Sequence, residues 1–326
     1  MFKNKVILVT GGCGFIGSHL VERLVRENAT VKVLGRYNSQ GSVGWLESSQ
    51  VRDEIEVILG DIRDQDCVRE SCRGADIVFH LAALIGIPYS YTAPQSYVDT
   101  NITGTLNILQ AARQLETPRV IHTSTSEVYG SALRVPIDEA HPLQGQSPYS
   151  ASKIGADKLA ESFHLSFGIP VVTARPFNTF GPRQSARAVI PTVIRQALAG
   201  QHSIRLGNLT PTRDFNYVEN TVDGFLTLAA SPGIEGETFN FGYGKEISIG
   251  DLANLIFDLV GTTCEIESDP GRQRPGGSEV ERLLADTSRI QERLGLAPKI
   301  SLKEGLKRTI EWLRSQNLSR ADHYTV

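Results

Sequence analysis

The sequence predicts an α/β chain built on a doubly wound parallel sheet, with a smaller C-terminal α/β domain for substrate. Three observations carry that expectation. Continuous Val/Ile/Leu runs of strand length alternate with helix-length amphipathic segments: KVILVT, TVKVLG, IEVILG, ADIVFHLA, PRVIHTST and IPVVTAR. Strands apolar on both faces and separated by helices belong to parallel sheets covered on both sides. The first run enters a glycine-rich turn, and after Arg175 the pattern loosens into loops joined by helices near 187–200, 218–230, 248–261 and 301–315. The first domain is therefore expected over 1–175, with returns of the chain near 212–243, and the second over 176–326.

Composition narrows the class. With 326 residues, 40% hydrophobic and 21% charged, the chain can bury a sizeable core. Its 33 basic and 36 acidic residues leave a formal charge of -3, so no basic surplus points to nucleic acid. The N-terminal apolar run is too short for a signal peptide or a membrane span, which predicts a cytoplasmic protein. Cys13, Cys67, Cys72 and Cys264 have no CxxC or His spacing, so free thiols and no metal are expected.

The strand at Val6–Thr10 runs into Gly11, Gly12, Cys13, Gly14, Phe15, Ile16 and Gly17, then a helix expected from about Ser18 to Glu27. The glycines fit both GxGxxG (Gly12, Gly14, Gly17) and GxxGxxG (Gly11, Gly14, Gly17). Glycine permits a tight turn that brings backbone N–H groups of this loop, Phe15 and Ile16 included, against a pyrophosphate at the helix N-terminus. A glycine triplet alone also suits an ordinary turn; the strand, loop and helix in register make this a Rossmann-like dinucleotide site.

The second strand ends in Gly35, Arg36, Tyr37 and Asn38, and no acid stands between Glu27 and Glu47. Without a carboxylate for the ribose hydroxyls, Arg36 suits the 2′-phosphate of NADP, while Asn38 or backbone would serve NAD. The plainer alternative is a solvated arginine. Asp61, with the adjoining Ile62, follows the third strand, where it could receive the adenine amino group or cap a helix starting near Arg63. Leu81, Ala82 and Ala83 end the fourth strand after His80 with residues that let a dinucleotide pass close.

Tyr149 and Lys153 stand at i and i+4 in SPYSASK, on one face of a helix expected through Phe167. An ammonium beside a phenol favours phenolate, so Lys153 is expected to lower the Tyr149 pKa and make it a base. Such a pair usually marks a solvated helix face. Its weight here comes from the upstream strand ending in Thr123-Ser124-Thr125-Ser126-Glu127, which sets hydroxyls and a carboxylate at the carboxyl end of the sheet.

TGGCGFIG, HLAA, TSTSEVYG, YSASK, RPFNTFGPRQ, TRDFNYV and RPGGSEVERLLAD together resemble an extended short-chain dehydrogenase/reductase acting on a nucleotide sugar, across nearly the whole chain. The Thr-Ser-Glu triplet is similar to that of GDP-mannose 4,6-dehydratase. PYSYTAPQSYVDTN resembles the N-acetylglucosamine-type dehydratases of legionaminic acid synthesis. The resemblance implies an NAD(P)-dependent hydro-lyase that oxidises C4, eliminates water across C5 and C6, and returns hydride to C6. Tyr149 and Thr125 would handle the C4 hydroxyl proton and Glu127 the C5 proton. Glucose-type enzymes carry Asp-Glu where this chain has Ser126-Glu127, so Glu127 would also shuttle the proton to the leaving hydroxyl, through Ser126 or water.

The same resemblance implies that Asn178 and Arg213 meet the phosphates, that Arg274 adds a second cation, and that Glu279 meets the nucleoside ribose. Arg187 would face the diphosphate or cap the following helix; each arginine alone equally suits a surface salt bridge. UDP-glucuronate decarboxylases share the triplet, a C4 epimerase needs Tyr149 and Lys153 without Glu127, and a catalytically silent scaffold would keep the fold alone. A homodimer through helices near 95–115 and 148–167 is also implied, with Ala111, Ala112, Ala156 and Ala160 suited either to that contact or to packing on the sheet.

Overall fold

The structure is a computed structural model that describes residues 1–272 and 274–316. The expected strands form as β1 (Val6–Thr10), β2 (Thr30–Arg36), β3 (Ile55–Gly60), β4 (Ile77–His80), β5 (Val120–Thr123) and β6 (Val171–Pro176). The later strands are β7 (Asn178–Phe180), β8 (Ser203–Leu206), β9 (Thr212–Tyr217), β10 (Thr238–Phe241), β11 (Glu246–Ser248), β12 (Glu265–Ser268) and β13 (Arg282–Leu283). The helices are α1 (Phe15–Arg26), α2 (Gln65–Cys72), α3 (Ile87–Thr92), α4 (Pro94–Tyr97), α5 (Gly104–Gln114) and α6 (Pro148–Phe167). They continue with α7 (Val189–Leu198), α8 (Val218–Ala230), α9 (Ile249–Val260), α10 (Ser288–Leu294) and α11 (Leu302–Ser315).

Seven strands make one sheet in the order β10-β6-β5-β4-β1-β2-β3, parallel throughout. Alternate residues of β1 feed opposite cores: Ile7 and Val9 join Leu20, Val21 and Phe225 of α1 and α8, while Leu8 joins Val68, Ile108 and Phe163 of α2, α5 and α6. This sandwich is the doubly wound class that the continuous apolar runs predicted. The strand order reverses between β1 and β4, and that switch point opens a crevice at the strands' carboxyl ends.

The remaining chain forms a smaller unit. β9 pairs β7, β11 and β13, β8 pairs β12, and α7, α9 and α11 cover an apolar cluster around Phe180, Ile194, Leu252 and Leu306. Within 212–243, β9 leads the small sheet while α8 and β10 return to the large one.

Two expected boundaries move. α1 begins at Phe15 rather than Ser18, because Gly14 already serves as its N-cap. α2 begins at Gln65 with Asp64 as its cap, accepting from Asp66 and Cys67 backbone N–H, so Asp61 does not cap it. Ala111, Ala112, Ala156 and Ala160 are buried within the chain itself, at 2% exposure or less. No helix among the described residues is long and apolar enough to cross a membrane.

Candidate active site

At the switch point Gly11 adopts φ +71°, and a Cβ there would lie 2.8 Å from the Ala82 nitrogen. A Cβ on Gly17 would sit 2.3 Å from the Gly11 oxygen, while Gly14 is exposed and would meet only that oxygen, at 3.3 Å. Gly12 packs on Val21 and Val33, so Gly11, Gly14 and Gly17 shape the turn and Gly12 the core behind it. No side chain caps α1 and no acid occupies its first turn, which leaves the N–H groups of Phe15 and Ile16 for an anion. The Phe15 and Ile16 side chains pack against the apolar cluster around Phe180, Ile194, Leu252 and Leu306. These residues fit a dinucleotide pyrophosphate.

The adenosine end is less committed. Arg36 is exposed at the end of β2, close enough to Asp61 to help lower its pKa. Arg63 is the larger cause: it grips the Asp61 carboxylate at 2.5 Å and 2.9 Å. Asn38 spends its side chain on its own loop, accepting from Gln40 and Ser42 N–H and donating to the Arg36 and Ser42 carbonyls. Ile62 turns into the core against Gly104, and its carbonyl accepts from Asn107 at 3.0 Å. Leu81, Ala82 and Ala83 are half-buried at the mouth of the crevice.

Behind Ala82 runs a chain of hydrogen bonds that no sequence motif announces. Ala82 N–H donates to Thr10 Oγ1 at 3.2 Å, which bonds His80 Nδ1 at 2.9 Å; His80 Nε2 bonds Thr105 Oγ1 at 3.0 Å, which donates to the Asn101 carbonyl at 2.6 Å. One direction satisfies every group: Thr10 donates to Nδ1 and Nε2–H donates to Thr105. Burial, followed by His122 and Lys153, holds His80 well below its ordinary pKa and keeps the ring neutral. Asn101 sits in the π-helical turn Val98–Thr103 and donates to Ser152 Oγ at 2.9 Å. A π-turn needs an unusual backbone register, which hydrophobic periodicity does not reveal.

α6 starts on a Ser147/Ser150 capping box with Pro148 at its first turn, so Tyr149 and Lys153 face the crevice from its opening turns. Thr125 caps the short turn Ser126–Tyr129, its hydroxyl accepting from the Glu127 N–H at 3.3 Å. Thr125 also hydrogen-bonds Tyr149, whereas Lys153 Nζ donates to the Thr123 carbonyl at 2.6 Å. The expected depression of the Tyr149 pKa is corrected here: burial pushes the phenol up, against the Thr125 bond, and the Glu127 charge adds to the rise. Burial likewise lowers Lys153 to about 8, with Asp157 opposing. Desolvation outweighs the pairwise charges in so enclosed a site.

The substrate end gathers opposite charges. Ser126 and Glu127 are buried, and Glu127 Oε2 lies 3.4 Å from Arg274 Nη1. Arg213 is buried, donates to the Thr212 carbonyl at 2.9 Å and stands 3.6 Å from Glu279 Oε1. Burial lowers the Arg213 pKa, with Glu127 the largest opposing charge. Asn178 Oδ1 is buried without a hydrogen-bond partner among the described residues. Arg187 does not cap α7, whose N-cap Ala188 makes no side-chain bond; its Nε donates to Ser185 Oγ at 3.5 Å, and its charge opposes the rise that burial gives the Tyr97 pKa. Tyr97 stacks edge-on against Tyr149 at 6.2 Å, and Tyr91 binds Ser278 Oγ at 2.6 Å across the cleft.

The Tyr149 phenol, the Glu127 carboxylate and the guanidinium groups of Arg213 and Arg274 thus act on one another at this site. A family model described as GDP-mannose 4,6 dehydratase matches residues 8–309. The UDP-glucose 4-epimerase of Mycolicibacterium smegmatis is 33% identical over 315 residues, spanning 95% of this chain and 99% of its own. The UDP-N-acetyl-alpha-D-glucosaminuronate decarboxylase of Bacillus cytotoxicus is 33% identical over 321 residues, 95% and 98% of the two chains. A dTDP-glucose 4,6-dehydratase from Streptomyces venezuelae, solved with NAD bound, superposes with a TM-score of 0.87 at 31% identity, over 95% and 97%. The chain thus belongs to the GDP-mannose 4,6 dehydratase family of nucleotide-sugar enzymes, within the extended short-chain dehydrogenases/reductases.

Proposed function

We propose that this chain is a nucleotide-sugar 4,6-dehydratase that converts UDP- or GDP-N-acetylglucosamine to the 4-keto-6-deoxy sugar. The observation that carries the reading is the buried carboxylate of Glu127 beside Thr125 and Tyr149, with Arg274 at 3.4 Å. When bound, the nicotinamide supplies the hydride acceptor and donor and a positive charge beside the phenol.

Tyr149 takes the C4 hydroxyl proton, shared with Thr125. Once C4 is a ketone the C5 proton is acidic, and Glu127 removes it. The same carboxylate, with Ser126 or a water, protonates the hydroxyl that leaves C6 as water; hydride then returns from the cofactor to C6, and C5 takes up a solvent-exchanged proton through Glu127. Arg213 and Arg274 hold the diphosphate and Glu279 the nucleoside ribose, Asn178 offering its free oxygen to the same ligand. Arg187, whose charge acts on Tyr97, faces the diphosphate from the Tyr149 side. Gly11, Gly14, Phe15, Ile16 and Gly17 hold the pyrophosphate, Asp61 and Ile62 line the adenine end, and Arg36 favours the 2′-phosphate of NADP over NAD. The enzyme works as a cytoplasmic homodimer, divided at about residue 175 into cofactor and substrate domains.

Epimerase and decarboxylase relatives at 33% identity make C4 epimerisation or C6 decarboxylation the second reading. A panel of UDP- and GDP-hexoses, including N-acetylglucosamine and the uronic acids, is incubated in deuterated water and read by mass spectrometry. A 4-keto-6-deoxy product with deuterium at C5, abolished in Glu127→Gln without loss of cofactor, supports the dehydratase. Epimer or pentose as sole product, or full activity in Glu127→Gln, refutes it.

A further inference from the structure

Behind the catalytic pair lies a charged centre that the proposed reaction leaves unused. Asp157 follows Lys153 by about one turn of α6, with 4% of its side chain exposed. Its Oδ1 bonds His122 Nε2 at 2.9 Å, and its Oδ2 accepts from Ser124 Oγ at 2.6 Å and from Arg175 Nη2 and Nε at 3.0 and 3.3 Å. His122 and Ser124 flank Thr123 and share one face of the strand, so a single carboxylate grips both. The Thr123 carbonyl between them receives Lys153 Nζ. Arg175 carries the grip on to the Tyr129 hydroxyl at 2.9 Å, in the turn that bears Glu127, and Tyr129 donates to Asn240 Oδ1 of β10 at 2.8 Å.

We propose that Asp157 is a positioning residue for C4 oxidation: it fixes the end of β5, whose Thr123 carbonyl receives Lys153, and stands as the buried counter-charge one turn from Lys153 without touching the sugar. An ammonium away from water is costly unless a counter-charge faces it. The charged and titratable groups around Lys153 are Asp157 on its own helix, His80 from β4 and His122 from β5. Burial holds both imidazoles down, which leaves Asp157 as the carboxylate acting on Lys153. Around Asp157 stand His122, Arg175 and Lys153, and Tyr149 also feels its charge. A cavity of about 300 Å³ reaches Asp157, lined also by Glu139, Lys158, Glu161 and Arg175. That space admits a small carboxylate.

The inference rests only on the oxidation half of the proposed reaction. Asp157→Asn keeps the shape and removes the charge, so Lys153 loses its proton at lower pH. The alkaline limb of reduced-nicotinamide formation is expected to move down by roughly one pH unit. Cofactor affinity titrated against pH without sugar shows the same displacement. In Asp157→Ala, formate but not chloride restores activity several-fold through the cavity. Wild-type limbs in Asp157→Asn, no gain with formate, or an Asp157→Asn chain that does not fold would each overturn the proposal. A wild type inert toward every nucleotide sugar would count against the proposed function instead, and the sugar-free titration would still decide the role of Asp157.

Discussion

Replacing Gly11 by alanine separates two costs that the structure makes measurable. At φ +71° a side chain pays roughly 1–2 kcal/mol for left-handed backbone. Gly74 has φ +72° with nothing within 4 Å of the position a methyl would take, so Gly74→Ala carries that cost alone. At Gly11 the new Cβ stands 2.8 Å from the Ala82 nitrogen and 2.9 Å from its Cα, so backbone must retreat by about 0.6 Å to reach ordinary contact. Such a retreat stretches the 3.2 Å bond from Ala82 N–H to Thr10 beyond hydrogen-bond range. Overpacking and one lost buried bond add roughly 2–4 kcal/mol.

Each kcal/mol lowers the thermal midpoint by roughly 2 °C in a chain this long. Gly74→Ala should fall roughly 2–4 °C and Gly11→Ala roughly 6–12 °C by scanning calorimetry. Cofactor affinity, followed by fluorescence titration, should drop at least about tenfold in Gly11→Ala and hold in Gly74→Ala, because a turn displaced at Gly11, whose carbonyl receives Gly14 N–H, misaligns the N–H groups of Phe15 and Ile16, and one charge-assisted bond is worth about 1.5–3 kcal/mol. Equal midpoint losses, or undiminished affinity in Gly11→Ala, would refute the packing argument.

Arg36→Ala should weaken NADP by roughly tenfold or more and leave NAD unchanged, read by isothermal titration; equal loss for both cofactors would remove Arg36 from 2′-phosphate recognition. Arg274→Ala should raise KM for the nucleotide sugar by roughly 10- to 100-fold while cofactor affinity stays put; an unchanged KM would leave the arginine as a partner of Glu127 alone.

The large sheet was legible because its strands carry their own signal. KVILVT is apolar on both faces whatever follows it, PRVIHTST carries the adjacent pair Val120 and Ile121, and β1 and β5 fall within those runs. α6 was equally plain over 148–167 from the helical pattern that follows Tyr149 and Lys153, and the structure adds the local chemistry that bounds it, a Ser147 cap and a left-handed Gly168. β10 was legible only as part of a return of the chain near 212–243: TFNF is four residues long, and its place as the seventh strand depends on β6, more than sixty residues earlier. The start of α1 was missed by three residues because Gly14 could be loop or cap until Gly17 was seen against the Gly11 carbonyl.

The sequence by itself determined which chemistry was on offer: a glycine turn after a buried strand, Tyr149 and Lys153 one turn apart, and a carboxylate at the end of a strand. Tertiary structure alone decided how those groups are set. It turned Lys153 to the Thr123 carbonyl, raised the Tyr149 phenol by burial and brought Arg274 to Glu127 across 147 residues. The reason is physical: periodicity and caps report neighbours within one element, whereas desolvation and long-range pairing exist only once separate elements have closed around a common space.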